Sequence, residues 1–174
     1  MRRRQRGFNI IELLVTLAVV GIVVSMGAPS LASFTSDMRL STTTNDLLTF
    51  FNYARSEAAR RGARVTICIS ADQATCLTTG ADWAVGAMAF IDSDNNGQFT
   101  AGETILRVMS PISGGIKVTA TTAFATNYYF YYRPTGLASS QGTLRVCSIG
   151  RLARDISVNS IGRPISQTTT AVCT

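Results

Sequence analysis

Apolar residues run almost unbroken from Phe8 to Ala28, FNIIELLVTLAVVGIVVSMGA, with Glu12 as the only charged side chain among them. As a helix rising about 1.5 Å per residue, this run extends about 31 Å, enough for the hydrocarbon core of a bilayer. The pattern then becomes periodic. Leu40, Leu47, Leu48, Phe51, Ala54 and Ala58 recur at spacings that put them on one helical face. Arg60 and Arg61 followed by Gly62 read as a basic last turn and its C-cap. Together these segments predict one helix from about Phe8 to Arg61, with a kink or local melting near Pro29 because proline lacks a backbone donor.

Beyond Ala63 the texture changes to short runs suited to strands: Val65–Ser70, Trp83–Asp92, Thr104–Met109, Ile116–Ala120, Tyr128–Arg133, Thr143–Ile149 and Ile156–Asn159. Gly114-Gly115, Pro134-Thr135-Gly136 and Gln141-Gly142 mark turns between them. The expected fold is α+β, a long N-terminal helix on an antiparallel β head, with one sheet or two small ones. The segments divide as 1–7 leader, 8–28 membrane and packing helix, 29–62 helix continued against the head, and 63–174 the β-rich head.

Composition narrows the chemistry. The chain has 174 residues, 46% of them hydrophobic, which suits a single ordered domain rather than a disordered tail. It contains no histidine, so triad hydrolases and histidine-based metal enzymes are disfavoured, and no phosphate loop or nucleophile motif points to an enzyme. The net charge of +6 is concentrated: with Arg2, Arg3, Arg4 and Arg6 set aside, twelve basic side chains face ten acidic ones. Bulk charge is therefore a weak argument for nucleic acid, whereas a basic head before an apolar run leaves the rest of the chain on the non-cytoplasmic side of a membrane.

A carboxylate within a membrane segment is costly and calls for a specific partner, which makes Glu12 a functional residue rather than a neutral one. The four cysteines, Cys68, Cys76, Cys147 and Cys173, lie on the exported side, where an even count favours two disulfides. Three connectivities are open; Cys68–Cys76 and Cys147–Cys173 are preferred, the first closing a short loop and the second tying the C-terminus to a strand. A zinc site has neither a CxxC pair nor a histidine to support it.

Asp92-Ser93-Asp94-Asn95-Asn96-Gly97 with Glu103 matches the D-x-[DN]-x-[DN]-G-x5-E calcium-loop pattern. Asp92, Asp94, Asn96 and Glu103 are the candidate ligands, and calcium is the one cofactor the residues point to. Both flanks read as strands rather than EF-hand helices, so a hairpin loop rich in Asp, Asn and Gly is the competing reading. Near the C-terminus, Arg145, Arg151, Arg154 and Arg163 are available for phosphates, and Tyr128, Tyr129, Tyr131 and Tyr132 for base stacking. Against that, an aromatic strand alternates between core and surface, and scattered arginines pair locally.

The basic leader with Gly7, Phe8 and Glu12 ahead of a hydrophobic helix resembles the class III signal of type IV pilins and type II secretion pseudopilins. The resemblance implies that a prepilin peptidase cuts between Gly7 and Phe8, that Phe8 is then N-methylated, and that Glu12 meets a neighbouring subunit's terminal amine during assembly. Ala54-Arg55-Ser56-Glu57-Ala58, Trp83, the Asp92–Glu103 loop and Gly162-Arg163 are similar to the GspH/FimT group, which contains H-type pseudopilins and the FimT and FimU minor pilins. That similarity implies a type IV pilin-like fold and an inner-membrane, single-pass subunit with a periplasmic head. Its implied partners are other minor pilins or pseudopilins and a major pilin. Three roles are open: initiating or capping a type IV pilus, serving a type II secretion pseudopilus, or binding DNA in natural transformation. Some FimT-like minor pilins bind DNA through a GRxR motif; here Gly162-Arg163 fits its first half and Ile165 stands where the second arginine would be.

Overall fold

The computed structural model describes residues 9–80, 82–122 and 128–173, with the side chains of 26–30 and 122 outside the description. Gly7 and Phe8 therefore lie outside the described residues. The chain divides into two compact units, Met1–Met38 and Arg39–Thr174.

A single helix, α1, spans Ile10–Arg61. Asn9 starts it: its side-chain oxygen accepts from the Ile11 N–H (3.4 Å), and its carbonyl accepts from Glu12 and Leu13. Within the first unit, Thr16, Ser25, Thr35 and Ser36 donate back to carbonyls three or four residues earlier, so these hydroxyls are satisfied without leaving the helix. The local melting expected near Pro29 does not occur, because the helix continues through that position. Proline removes one donor from a ladder of many, and the turns on either side keep their bonds.

In the second unit the remainder of α1 presents Leu40, Leu47, Phe50, Phe51, Ala54 and Ala58 to the core. Gly62 takes a left-handed conformation, and Ala63 N–H donates to the Ala58 carbonyl, closing the last turn as the basic residues and glycine predict.

Among the described residues, eight strands form two four-stranded antiparallel sheets. The first has the order β3-β2-β1-β5, built from β1 (Val65–Ile69), β2 (Ala87–Ile91), β3 (Thr104–Met109) and β5 (Tyr129–Tyr132). The second has the order β4-β6-β7-β8, with β4 (Ile116–Thr122), β6 (Gly142–Ser148), β7 (Leu152–Val158) and β8 (Pro164–Val172). Strand β1 is buried along its whole length because it has strands on both sides and the helix over one face. Phe51 of the helix meets Trp83 and Phe130 at ring separations of 6.2 and 5.8 Å, and Phe130 meets Tyr132 edge-on at 5.0 Å.

Three expectations about strands need correction. Trp83–Val85 is a short 3-10 turn, not the start of a strand: Asp82 caps it by accepting from the Ala84 N–H, and β2 begins only at Ala87. Strand β7 begins at Leu152 rather than Ile156, since Arg154 and Asp155 find partners within the fold. Strand β8 was not anticipated, because its threonine-rich sequence lacks apolar alternation.

Candidate functional site

The first unit carries its chemistry in the opening turns of α1. Glu12 sits in the first turn, where a carboxylate suits the positive end of the helix dipole, and it is exposed. Around it Ile10, Ile11, Leu13, Leu14, Val15 and Leu17 are all more than half exposed. Among the described residues no helix is long and apolar enough to cross a membrane. The 8–28 span expected from the sequence includes Phe8 and side chains 26–28, which lie outside the description.

Disulfides brace the head. Cys68–Cys76 joins strand β1 to the loop after it, with a Cα separation of 5.6 Å. Cys147–Cys173 joins β6 to the residue following β8, with a Cα separation of 5.5 Å. The Cys173 backbone is held besides: its N–H donates to the Arg151 carbonyl and its carbonyl accepts from Gly150.

The Asp92–Glu103 loop connects β2 to β3, so its setting is a hairpin rather than a pair of helices. Asp92 is buried at its base. Its Oδ2 accepts from the Thr66 hydroxyl (2.6 Å) and the Gly97 N–H (3.1 Å) and lies 2.9 Å from the Arg64 guanidinium. Gly97 has a positive φ, and a Cβ there would run into the ring of Tyr129, so glycine is required on both counts. Asp94 accepts from the Asn96 N–H, and the Asn96 side-chain oxygen accepts from the Gln98 N–H. Glu103 reaches back across the loop, one oxygen accepting from Ser93 N–H (2.7 Å) and the other from Thr100 N–H (3.0 Å). The structure thus gathers Asp92, Asp94 and Glu103, with one carboxylate oxygen from each lying within 4.8 Å of the others.

The basic residues are not gathered in this way. Arg145 makes a two-pronged pair with Asp155, at 2.8 Å for each bond, which raises the arginine's already high pKa through hydrogen bonding and charge. Arg154 points to the helix and donates to the Ser41 hydroxyl. Arg151 lies in the turn before β7, whereas Arg163 lies in the turn after it, so the length of a strand, about 20 Å, separates them. Gly162 has a packing role, since a Cβ there would collide with the Gly136 carbonyl. Tyr132 faces the core, where burial pushes its phenol pKa up; Tyr131 instead carries the Arg64 guanidinium 3.6 Å over its ring.

Several organising residues escaped sequence reasoning. Asp82 accepts from Ala84 N–H and also from Val118 N–H in β4, which fastens the 3-10 turn to the second sheet. Arg55 donates to the carbonyls of Gly136 and Ile161, tying two turns to the helix. Glu57 is gripped by Arg60 and then Arg61, which hold its carboxyl down to about 2. An Arg-Ser-Glu run followed by two arginines at i+3 and i+4 is the signal for the last of these; the Asp82 and Arg55 contacts are long-range and leave no local pattern.

Residues 43–162 match the family model described as type II transport protein GspH, and residues 2–28 match the prokaryotic N-terminal methylation motif. No curated protein matches the chain significantly. Among solved structures, the type IV minor pilin FimU of Pseudomonas aeruginosa is similar in two crystal forms. One aligns with a TM-score of 0.56 at 20% identity, covering 78% of this chain and 92% of that one. The other aligns with a TM-score of 0.53 at 18% identity, covering 73% and 91%. That likeness shows the pilin fold, a helix packed on antiparallel sheets. With more than half of its residues in the family match and a methylation motif ahead of them, the chain belongs to the GspH family, structural subunits of the pilin and pseudopilin type.

Proposed function

We propose that this chain is a minor pilin that helps to initiate or cap a type IV pilus at the inner membrane. One observation carries the reading: a methylation motif over residues 2–28 runs directly into a helix whose apolar side chains are exposed in the isolated subunit. Such a surface needs a partner, first lipid and then the helices of neighbouring subunits. In this reading prepilin peptidase cuts between Gly7 and Phe8, Phe8 is N-methylated, and the segment 8–28 crosses the membrane once with the head in the periplasm. Glu12 then pairs with the terminal amine of an adjacent subunit, because a carboxylate placed among apolar helices needs a cation. The disulfide-bonded head contacts other minor pilins and the major pilin. Its role is structural rather than catalytic.

The description of the matching family as a type II transport protein favours one second reading, a pseudopilus subunit for protein export. DNA binding draws little support, since Arg145 is already paired and Arg151 and Arg163 stand at opposite ends of β7.

The decisive experiment compares sheared surface pili from a clean deletion strain, its parent and strains complemented with the native gene or with Glu12→Ala. Loss of pili restored by the native gene supports the proposal, and Glu12→Ala is expected to be cleaved normally yet restore few pili. Undiminished piliation in the deletion strain rejects it, and lost protein export in that strain would then support the secretion reading.

A further inference from the structure

We propose that the β2–β3 loop is a calcium site, with Asp92, Asp94 and Glu103 as its carboxylate ligands. Three independent observations converge on it. One carboxylate oxygen from each of these residues lies within 4.8 Å of one from each of the others. Oxygens that bind one calcium at 2.3–2.6 Å are separated by no more than about 5.2 Å, so a single ion can reach all three. Second, the Asp92 side chain is fully buried and only half satisfied. Its Oδ2 receives Thr66, Gly97 and Arg64, while its Oδ1 is buried without a hydrogen-bond partner. A buried carboxylate oxygen without a partner carries a desolvation penalty that a cation would remove.

Third is the balance of charge. Asp92, Asp94 and Glu103 set against Arg64 leave two uncompensated negative charges, which a divalent ion neutralises. The chemistry of the donors selects the ion. All are hard oxygens on a hairpin loop; the Asn96 side-chain NH2 donates to Asp94 Oδ2 (2.7 Å), and its Oδ1 accepts from the Gln98 N–H while retaining a lone pair. Calcium accepts flexible, irregular oxygen shells, whereas magnesium demands near-octahedral geometry at shorter distances. The hydrogen bonds that Glu103 accepts from Ser93 and Thr100 hold its carboxylate across the loop and leave a second lone pair on each oxygen. The site therefore closes the loop from both ends, Asp92 at the end of β2 and Glu103 at the start of β3. It stands whether the subunit serves a pilus or a secretion pseudopilus.

The ring of Tyr129 lies against Gly97 within the loop, which supplies a local reporter. Terbium, a calcium surrogate, emits when a nearby tyrosine transfers excitation to it. The full chain in detergent, stripped of metal with a chelator, is titrated with terbium and then competed with calcium or magnesium, and its melting temperature is followed with calcium alone. The expected result is tyrosine-sensitised emission displaced by calcium at about 0.1–1 mM, a range found for extracellular calcium modules. Magnesium at the same concentrations should displace little, and calcium should raise the melting temperature. Asp94→Asn and Glu103→Gln should each weaken calcium at least tenfold. Both act on the loop rather than the buried base, so each should still melt cooperatively without metal. Absence of both emission and a calcium-dependent melting shift up to about 10 mM overturns the proposal. Binding unchanged in both variants overturns the assigned ligands, and equal displacement by magnesium overturns the assignment to calcium.

Discussion

The two units of this chain treat the same kind of residue in opposite ways. In the opening part of α1, Leu13, Leu14, Val15, Leu17, Val19 and Val20 are each more than 50% exposed, whereas Leu47, Phe51, Ala54, Val65 and Ile67 of the second unit are 0% exposed. Folding of a single subunit therefore uses only one of its two apolar populations. The other stays exposed in the isolated subunit, and a helix can keep it so because its backbone hydrogen bonds are internal whatever its side chains touch. Apolar content alone says nothing about where a residue will be buried. What separates the populations is patterning: an all-round apolar helix in the first unit, and one apolar face followed by short strands in the second.

The sharpest way to test that division is to truncate a side chain on each side of it. Phe51→Ala removes the ring on which Trp83 and Phe130 pack, and we expect a loss of about 3–5 kcal/mol in denaturant unfolding of the detergent-solubilised protein. A loss under about 1 kcal/mol would show that the aromatic cluster is not the centre of the core. Next in size is the Cys147–Cys173 bridge. Replacing both cysteines with serine should lower stability by about 2–4 kcal/mol, read from the unfolding midpoint with and without reductant, and reductant should then have less to act on.

A subtler effect concerns Glu57. Hydrogen bonds from Arg60, and then Arg61, hold its carboxyl down to about 2 from an ordinary 4.5. Because the folded value lies below the unfolded one, the stabilisation is complete above about pH 4.5 and is lost as pH falls toward 2. Glu57→Gln should therefore flatten the acid limb of the stability curve in that window, and a limb that keeps its native slope would count against the pairing. The smallest change is expected from Leu17→Ala in the apolar helix, within about 0.5 kcal/mol of native stability, since this side chain has little to lose in the isolated subunit. If Leu17→Ala destabilised the subunit as much as Phe51→Ala, the contrast between the two populations would collapse.

Sequence reasoning succeeded where local chemistry decides the outcome. The helix ends where Arg60-Arg61-Gly62 places a basic turn and a left-handed cap, and β3 runs from Thr104 to Met109, the bounds expected for its short β-type run. It failed where a partner distant in the chain decides. Trp83 looks like a strand residue until Asp82, itself hydrogen-bonded to β4, turns the backbone into a 3-10 turn. Arg154 and Asp155 look like loop residues until Ser41 and Arg145 receive them. The threonines of β8 carry no alternating signal because this edge strand has one neighbour and is exposed along most of its length. For the loop, the Asp, Asn and Gly spacing was legible, but the burial of Asp92 beside Arg64 was not.

Strand β8 and the bridge at its end have a mechanical consequence. An edge strand is paired on one side only, so it is the natural place for a sheet to unzip under fraying or a pull. Here Cys173, the residue that follows β8, is covalently tied to β6, two strands in, so β7 and β8 lie inside a closed loop with a sequence separation of 26. A pull that reaches Cys173 is therefore shared with β6 rather than carried by the β7–β8 pairing alone. The bridge thus couples the outer strand of the second sheet to its interior, and separating β7 from β6 means working against a covalent tie as well as hydrogen bonds.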